Sequence, residues 1–366
     1  MSRFVFVLGA GASAAAKAPL AANFMDKARL LLRSGGLPGI DEDAFNLVFK
    51  ARDALKAVHS KADLNLGDLE VLFGAFEMAA LFGRLGSLSE TEVGNLPQAM
   101  RRVISRTVER TMEFPILSSP ATGNRSKGWT VGPFPKLMPP PPYEPFANLL
   151  AKMGQWNGNN SAVITFNYDL GMDHALHFSQ MPYSYGLSES SDGTIDLLKL
   201  HGSLNWGRCS MCKEVLPLDI GSCLQRLSVP AAGSTKFEVS GDLPLLKHCG
   251  FPLKAEPLIV PPTWNKGIYH SQLDRVWKKA ARHLSEAEYI FVIGYSYPQT
   301  DEFFRYLYAL GSIGDGWLEK IIVFNPDAAV GERIKGLLGP LARGKFGAFE
   351  YNFEQAVSYL TTLNLS

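Results

Sequence analysis

The sequence has almost no net charge: 36 Lys and Arg are matched by 35 Asp and Glu, leaving +1 over 366 residues. That balance provides no general attraction to nucleic acid or to an anionic membrane, and direct sequence-specific binding of nucleic acid is not expected. It also opposes self-association very little, so a homo-oligomer is expected. Cysteine is scarce as well, with four in the chain, too few for a disulfide framework at this length. No apolar run approaches the roughly 18–20 residues of a membrane-spanning helix. Charged residues make up 19% and hydrophobic ones 46%, a composition that fills a core and excludes a disordered chain. The first residues, MSRFVFVLGAGASAAAK, imitate a secretory signal, but Gly9 and Gly11 interrupt the apolar stretch. The expected compartment is therefore the cytoplasm.

What is present is a set of short apolar runs. RFVFVL (3–8), SAVITF (161–166), YIFVI (289–293) and KIIVF (320–324) each end in Gly or Asn and precede a helix-like pattern. Continuous apolar runs suit strands buried on both faces, and strand, loop and helix in repetition predict a Rossmann-like α/β fold with a mostly parallel sheet. A ligand crevice is then expected beyond the carboxyl ends of the strands. Between the first two strands lie roughly 150 residues, far more than a crossover needs. Helical spacing over 41–59, 66–85 and 90–112 predicts a helical insertion, and 117–146, with PATGNRSKG and Pro139 to Pro142, predicts a long surface loop. All four cysteines fall within a second insertion near 206–256. The expected organisation is 1–40, 145–205 and 257–366 as three segments of one Rossmann-like domain, the last with a C-terminal helix. The stretch 41–144 is the helical insertion with its Pro-rich loop, and 206–256 is a small cysteine module.

Gly9, Ala10, Gly11, Ala12 and Ser13 follow the first strand directly. Glycines there permit a tight turn and close approach of a pyrophosphate, with the next helix N-terminus behind it. No acidic residue stands at the usual distance for a ribose contact. TFNYD (165–169) and KLHGS (199–203) follow strands and should open into the same crevice. Asn167 both donates and accepts, so it can orient a water and a hydroxyl together. His201 titrates near neutrality and suits a general base or a ribose contact. Asp169 either joins the ligand site or caps the next helix. Gly294 and Ser296 resemble a further phosphate or ribose contact, and Asn325 a ribose or base-edge contact or a turn. Arg102, Arg106 and Arg110 share one helix face, which is expected to be solvated. Phe166, Tyr168 and Trp206 are aromatic neighbours of these motifs.

GAGAS, TFNYD, KLHGS, a cysteine insertion, GYS and FNPD occur in the order found in sirtuin-like proteins, over most of 1–37 and 145–330. Sirtuins proper usually read Gln-Asn-Ile-Asp where this chain has Phe166 to Asp169. They also carry a Gly-Ile-Pro-x-Phe-Arg segment, of which AKAPLAANF keeps Pro19 and Phe24 but not the Arg. In these departures the chain resembles the bacterial sirtuin-like domains of antiphage defence, which hydrolyse NAD⁺. The resemblance implies that Asn167 and His201 are catalytic. It also implies that Gly9 to Ser13, Phe24, Asp169, Gly294, Ser296 and Asn325 contact NAD⁺, and that partners include further copies of the chain or a HerA-type ATPase. The implied reaction releases nicotinamide and ADP-ribose and depletes NAD⁺ in an infected cell. An NAD-dependent protein-lysine deacylase and a non-catalytic NAD⁺ or ADP-ribose-binding module are the alternatives. The resemblance would place a second Cys-x-x-Cys near KHCG, but Leu246 stands three before Cys249. Cys209, Cys212 and Cys249 are then the expected ligands of a structural Zn²⁺, with Cys223 or His248 as the fourth.

Overall fold

A computed structural model describes residues 4–57, 64–117, 136–157, 161–189, 193–228, 230, 232–260, 267–297, 305, 307–309 and 317–363. Seven strands form the central sheet: β1 (Phe4–Leu8), β2 (Ser161–Thr165), β3 (Tyr183–Ser184), β4 (Ile195–Lys199), β5 (Tyr289–Ile293), β6 (Lys320–Phe324) and β7 (Phe346–Phe349). Their spatial order is β7-β6-β5-β1-β2-β4-β3, and every pairing is parallel. All five residues of β1 and β2 are buried, as their apolar runs require, and so are all five of β4, Asp196 and Lys199 included. The chain leaves β1 first toward β2 and later crosses to β5 on its other side. This reversal makes the carboxyl end of β1 the place for a ligand crevice. Leu8 pairs with Thr165 and with Ile293, and Thr165 with Lys199, so the loops bearing the sequence motifs start level with one another.

Helix α1 (Phe24–Ser34) precedes α2 (Gly39–Ala57), α3 (Leu69–Phe82) and α4 (Glu90–Thr111), which fall where the helical spacing over 41–59, 66–85 and 90–112 predicts them, and α4 packs against the other three. The start of α4 is fixed by a capping box between Ser89 and Glu92. Its buried face carries Val93, Leu96, Met100, Val103, Ile104 and Val108, the helical repeat visible in the sequence. The expectation of one long surface loop after α4 is corrected at both ends. Phe114–Leu117 pairs antiparallel with Lys136–Leu137 and with Gly233–Thr235. Pro139 and Pro140 are buried and lead into α5 (Tyr143–Asn157). The PATGNRSKG motif itself lies outside the described residues.

The arginine row is not a solvated face. Arg102 reaches Asp41 (3.2 Å) and Glu256 (2.9 Å), and Arg106 reaches Asp41 (2.9 Å) and Glu109 (2.8 Å). Arg110 reaches Glu238 (3.3 Å). Glu109 is buried, and its Oε1 accepts the backbone N–H groups of Val239 and Ser240. Burial raises its pKa, against the pull of Arg106. These groups lock α2 and α4 onto the cysteine-bearing segment, pairing charges that neither element could bury alone.

Candidate active site

The glycine loop is built by close packing against the loop after β5. A Cβ on Gly9 would stand 2.4 Å from the Cα of Tyr295, one on Gly11 2.8 Å from the carbonyl oxygen of Gly294, and one on Gly294 2.4 Å from the nitrogen of Ala12. Gly9 N–H donates to Ile293 (3.0 Å), Gly11 N–H to Gly294 (2.8 Å) and Ala12 N–H to Gly9 (3.0 Å). Most of the amides expected to cradle a pyrophosphate are thus bonded to protein carbonyls, and Ala10 is the exposed residue of the turn. The helix that follows is a seven-residue 3₁₀ turn, Ala10–Ala16, ended by Lys17 in the left-handed region, rather than an α-helix. The macrodipole expected there is correspondingly short.

Asn167, Ser13, Asp169 and Tyr143 form one buried group. The Asn167 amide nitrogen donates to the Gly9 carbonyl (2.9 Å) and to Ser13 Oγ (3.2 Å). Ser13 Oγ donates to Asp169 Oδ2 (2.6 Å) and accepts from the Tyr143 hydroxyl (2.7 Å). Asp169 Oδ1 accepts the N–H of Gly171, the first residue of α6 (Gly171–Phe178), so the same carboxylate also fixes a helix start. Burial raises the Asp169 pKa, opposed by Lys199, and burial together with Asp169 raises that of Tyr143 well above its ordinary value. Tyr143 therefore stays a donor. With both amide hydrogens of Asn167 engaged, its Oδ1 is the functional atom that remains, an acceptor of fixed orientation.

An open cleft brings Ser13, Asn167 and Asp169 together with His201. Ala10, Ser13, Phe24, Asn167, Asp169, His201 and Ser296 line it, as do Phe166 and Tyr168. The His201 ring meets Phe166 edge-on at 5.1 Å and Tyr168 at 6.1 Å, and Phe166 stacks on Tyr295 at 4.5 Å. Trp206 is instead buried against Tyr185 (5.2 Å), away from the cleft. Asn325 lines a different cavity with Asp327 and Glu350, and its Oδ1 accepts the Asp327 N–H in a local turn. Pro298 to Asp301 lie outside the described residues. Three wall residues come from the helical insertion: Leu69 and Glu70 of α3 and Val108 of α4. Sequence reasoning missed them because nothing local marks a helix residue as facing a cleft formed by distant loops.

Behind the cleft lies a second group that the motifs did not reveal. Lys199 is fully buried, and its Nζ donates to Asp173 Oδ2 (2.9 Å) and to the Asp169 carbonyl (2.6 Å). Asp173 Oδ1 accepts from the Tyr185 hydroxyl (2.6 Å), which in turn accepts from Asn205 (3.0 Å). Burial and Asp173 push the Tyr185 hydroxyl well above its usual pKa. Lys199→Met strands a buried carboxylate, so a loss of about 3–5 kcal/mol of stability is expected. Adding Asp173→Asn should restore part of it, as read by urea unfolding. Equal stability of the Lys199→Met single variant and the native chain would contradict this assignment.

The cysteine module presents a candidate metal centre. Ligand atoms of Cys209, Cys212, His248 and Cys249 all lie within 4.8 Å of one another. His248 Nδ1 is 3.3 Å from Cys212 Sγ and 3.4 Å from Cys249 Sγ. Such spacings match the edges of a tetrahedron with Zn–S of about 2.3 Å and Zn–N of about 2.0 Å. His248 Nε2 faces Glu214 at 3.5 Å, the outer carboxylate that orients a metal-binding imidazole. The Cys212 amide and the His248 ring pull the Cys209 thiol down to about 6. Cys223 does not join. It is buried on α7 (Ile220–Arg226), next to Arg226 (3.8 Å), and burial pushes its thiol up to about 11. The missing second knuckle is explained by a hairpin. Lys247–His248 pairs with Phe251–Pro252 across Cys249 (φ +52°) and Gly250 (φ +82°), so adjacent residues supply two ligands where a Cys-x-x-Cys was sought. The residues fit Zn²⁺, and four protein ligands leave no open coordination position.

No family model and no curated protein matches the chain. Solved structures do show likeness. An ADP-ribose complex of a Sir2 homologue mutant has 16% identity and a TM-score of 0.40, covering 98% of this chain and 90% of its own. A Sir2 homologue–NAD complex has 16% identity and a TM-score of 0.41, covering 98% and 88%. A 2′-O-acetyl-ADP-ribose complex of another Sir2 homologue mutant has 16% identity and a TM-score of 0.42, covering 100% and 96%.

Proposed function

We propose that the protein hydrolyses NAD⁺ to nicotinamide and ADP-ribose. The observation that carries this reading is the Asn167 amide, whose donors are fixed by Gly9 and Ser13 so that Oδ1 is left to a reactant beside His201 in an aromatic-walled cleft. In the reaction the C1′–N bond breaks with its electron pair going to nicotinamide, which leaves neutral and needs no acid. A water oxygen bonds to C1′ of the oxocarbenium-like ribose. Asn167 Oδ1 accepts a hydrogen bond from that water and orients it. His201 holds a ribose hydroxyl or takes the released proton on its way to solvent. The turn at Ala10, with no bulky side chain, admits the pyrophosphate. Ser296 is assigned to the adenosine half, with Phe24 closing the nicotinamide side. Zn²⁺ would be held by Cys209, Cys212, His248 and Cys249 and would supply folding energy to the module rather than reaction chemistry.

The setting follows from the sirtuin-like resemblance: NAD⁺ depletion in antiphage defence, controlled by assembly of copies of the chain or by a HerA-type ATPase partner in the cytoplasm. The test is to incubate the purified protein with NAD⁺, with and without an acetyl-lysine peptide, and to follow free nicotinamide. Release without peptide supports hydrolysis. Strict dependence on the peptide would identify a deacylase, and NAD⁺ binding without turnover in every assembly state would identify a binding module.

A further inference from the structure

Of the buried group around Ser13, three members line the cleft and Tyr143 does not. Tyr143 is the first residue of α5, is buried, and touches the others through its hydroxyl alone. Its ring is fixed by packing. Phe353, the first residue of the C-terminal helix Phe353–Thr362, meets it edge-on at 5.3 Å and meets Phe146 of α5 at 5.2 Å. At the start of α6, a Cβ on Gly171 would stand 2.6 Å from Tyr143 Cε2. Glycine there lets the segment that carries Asp169 run close against the ring.

Ser13 Oγ has one hydrogen and two lone pairs, and its three partners use all of them. The Asn167 amide nitrogen, at 3.2 Å, can only donate to it. The Asp169 carboxylate, at 2.6 Å, takes the one hydrogen that Ser13 has. The Tyr143 hydroxyl, at 2.7 Å, must then be a donor and fills the second lone pair. Every polar direction of Ser13 is therefore assigned, and the hydroxyl of Tyr143 is the contact that comes from outside the cleft wall.

We infer that Tyr143 is a positioning residue: its hydroxyl holds Ser13 Oγ in place as the acceptor of the Asn167 amide, and so keeps Asn167 Oδ1 aimed at the reactant. A reacting group is held to useful precision only when its neighbours are themselves locked by packing and hydrogen bonds. Phe353 and Gly171 lock the Tyr143 ring, Tyr143 locks Ser13, and Ser13 locks Asn167. Without the hydroxyl, Ser13 can turn toward Asp169. The Asn167 amide then keeps one firm anchor, the Gly9 carbonyl at 2.9 Å, about which Oδ1 can swing. The effect on turnover rests on the NAD⁺-hydrolase reading, whereas the hold on Asn167 does not.

The test combines Tyr143→Phe with Ser13→Ala in the full chain. Phe keeps the ring against Phe353 and Gly171 and removes only the hydroxyl, so the variant should fold with a slightly lowered melting temperature. Its kcat for nicotinamide release should fall about tenfold, the worth of one hydrogen bond. KM for NAD⁺ should stay unchanged, because Tyr143 takes no part in the cleft wall. In the Ser13→Ala chain the same substitution should lower kcat no further, since the hydroxyl acts through Ser13. A purely structural contribution would cut turnover by the same factor in both backgrounds. Native kcat in folded Tyr143→Phe, or equal losses in the two backgrounds, overturns the role in turnover. A second measurement needs no turnover. In protein carrying isotope-labelled asparagine, the side-chain amide of Asn167, identified by its loss in Asn167→Ala, should exchange with solvent faster in Tyr143→Phe than in the native chain. Equal exchange overturns the hold on Asn167. Faster exchange in a native chain that releases no nicotinamide supports that hold and overturns the hydrolase reading instead.

Discussion

Asn167→Ala is expected to reduce nicotinamide release from NAD⁺ by at least about a hundredfold, the scale on which a positioned group acting on the reactant contributes. The side chain has two duties that separate by measurement. Its nitrogen satisfies the buried Gly9 carbonyl and Ser13 Oγ, so truncation should also cost about 1–3 kcal/mol of stability. Its oxygen is the acceptor for the attacking water. Asn167→Asp keeps an acceptor oxygen but loses the donors and sets a second carboxylate against the Ser13–Asp169 pair, whose Asp169 already has a raised pKa. Like charges there disfavour ionisation of both groups. The Asp variant should therefore fall in melting temperature at least as far as the Ala variant and also lose turnover. His201→Ala should lose turnover and, because the buried ring packs against Phe166 and Tyr168, some stability as well. Full nicotinamide release by folded Asn167→Ala would refute the assignment of Oδ1.

What could be read from the sequence follows from how local each signal is. Continuous apolar runs identified β1, β2, β5 and β6; Asn167 follows β2 and His201 follows β4, and in a parallel sheet the ends of neighbouring strands lie side by side. The two-residue β3 and the half-exposed β7 carry no such run and were not anticipated. The spacing of α4 was visible, but the arginines on it read as a solvated face because their partners, Asp41, Glu238 and Glu256, are far along the chain. The same distance hid Lys199, which looks in sequence like a polar residue at the end of a strand. Its partner Asp173 lies on α6, beyond a loop whose course the sequence does not state. The glycine loop shows a different kind of gap. Its composition suits phosphate, yet the atoms that require glycine are those of the neighbouring β5 loop.

Removing Zn²⁺ is expected to have the largest structural effect. Structural zinc sites contribute apparent binding energies of about 10–16 kcal/mol at neutral pH, comparable to the whole stability of many domains. In the cysteine module two short hairpins, Trp206–Arg208 with Val215–Pro217 and Lys247–His248 with Phe251–Pro252, meet at the four ligand atoms. Cys249→Ser, or exhaustive chelation, should therefore eliminate close to one equivalent of zinc per chain and lower the melting temperature. Cys223→Ser should leave the metal content unchanged, since Cys223 stands on α7 beside Arg226. The loss should extend beyond the module. Ser240 and Glu256 anchor Glu109 and Arg102 of α4, and α4 places Val108 in the wall of the cleft. Nicotinamide release should fall with the metal although no coordination position is open to substrate, and it should return when zinc is restored to the refolded chain. Metal-free protein with native melting temperature and turnover would show that the four side chains gather for packing and not for a metal.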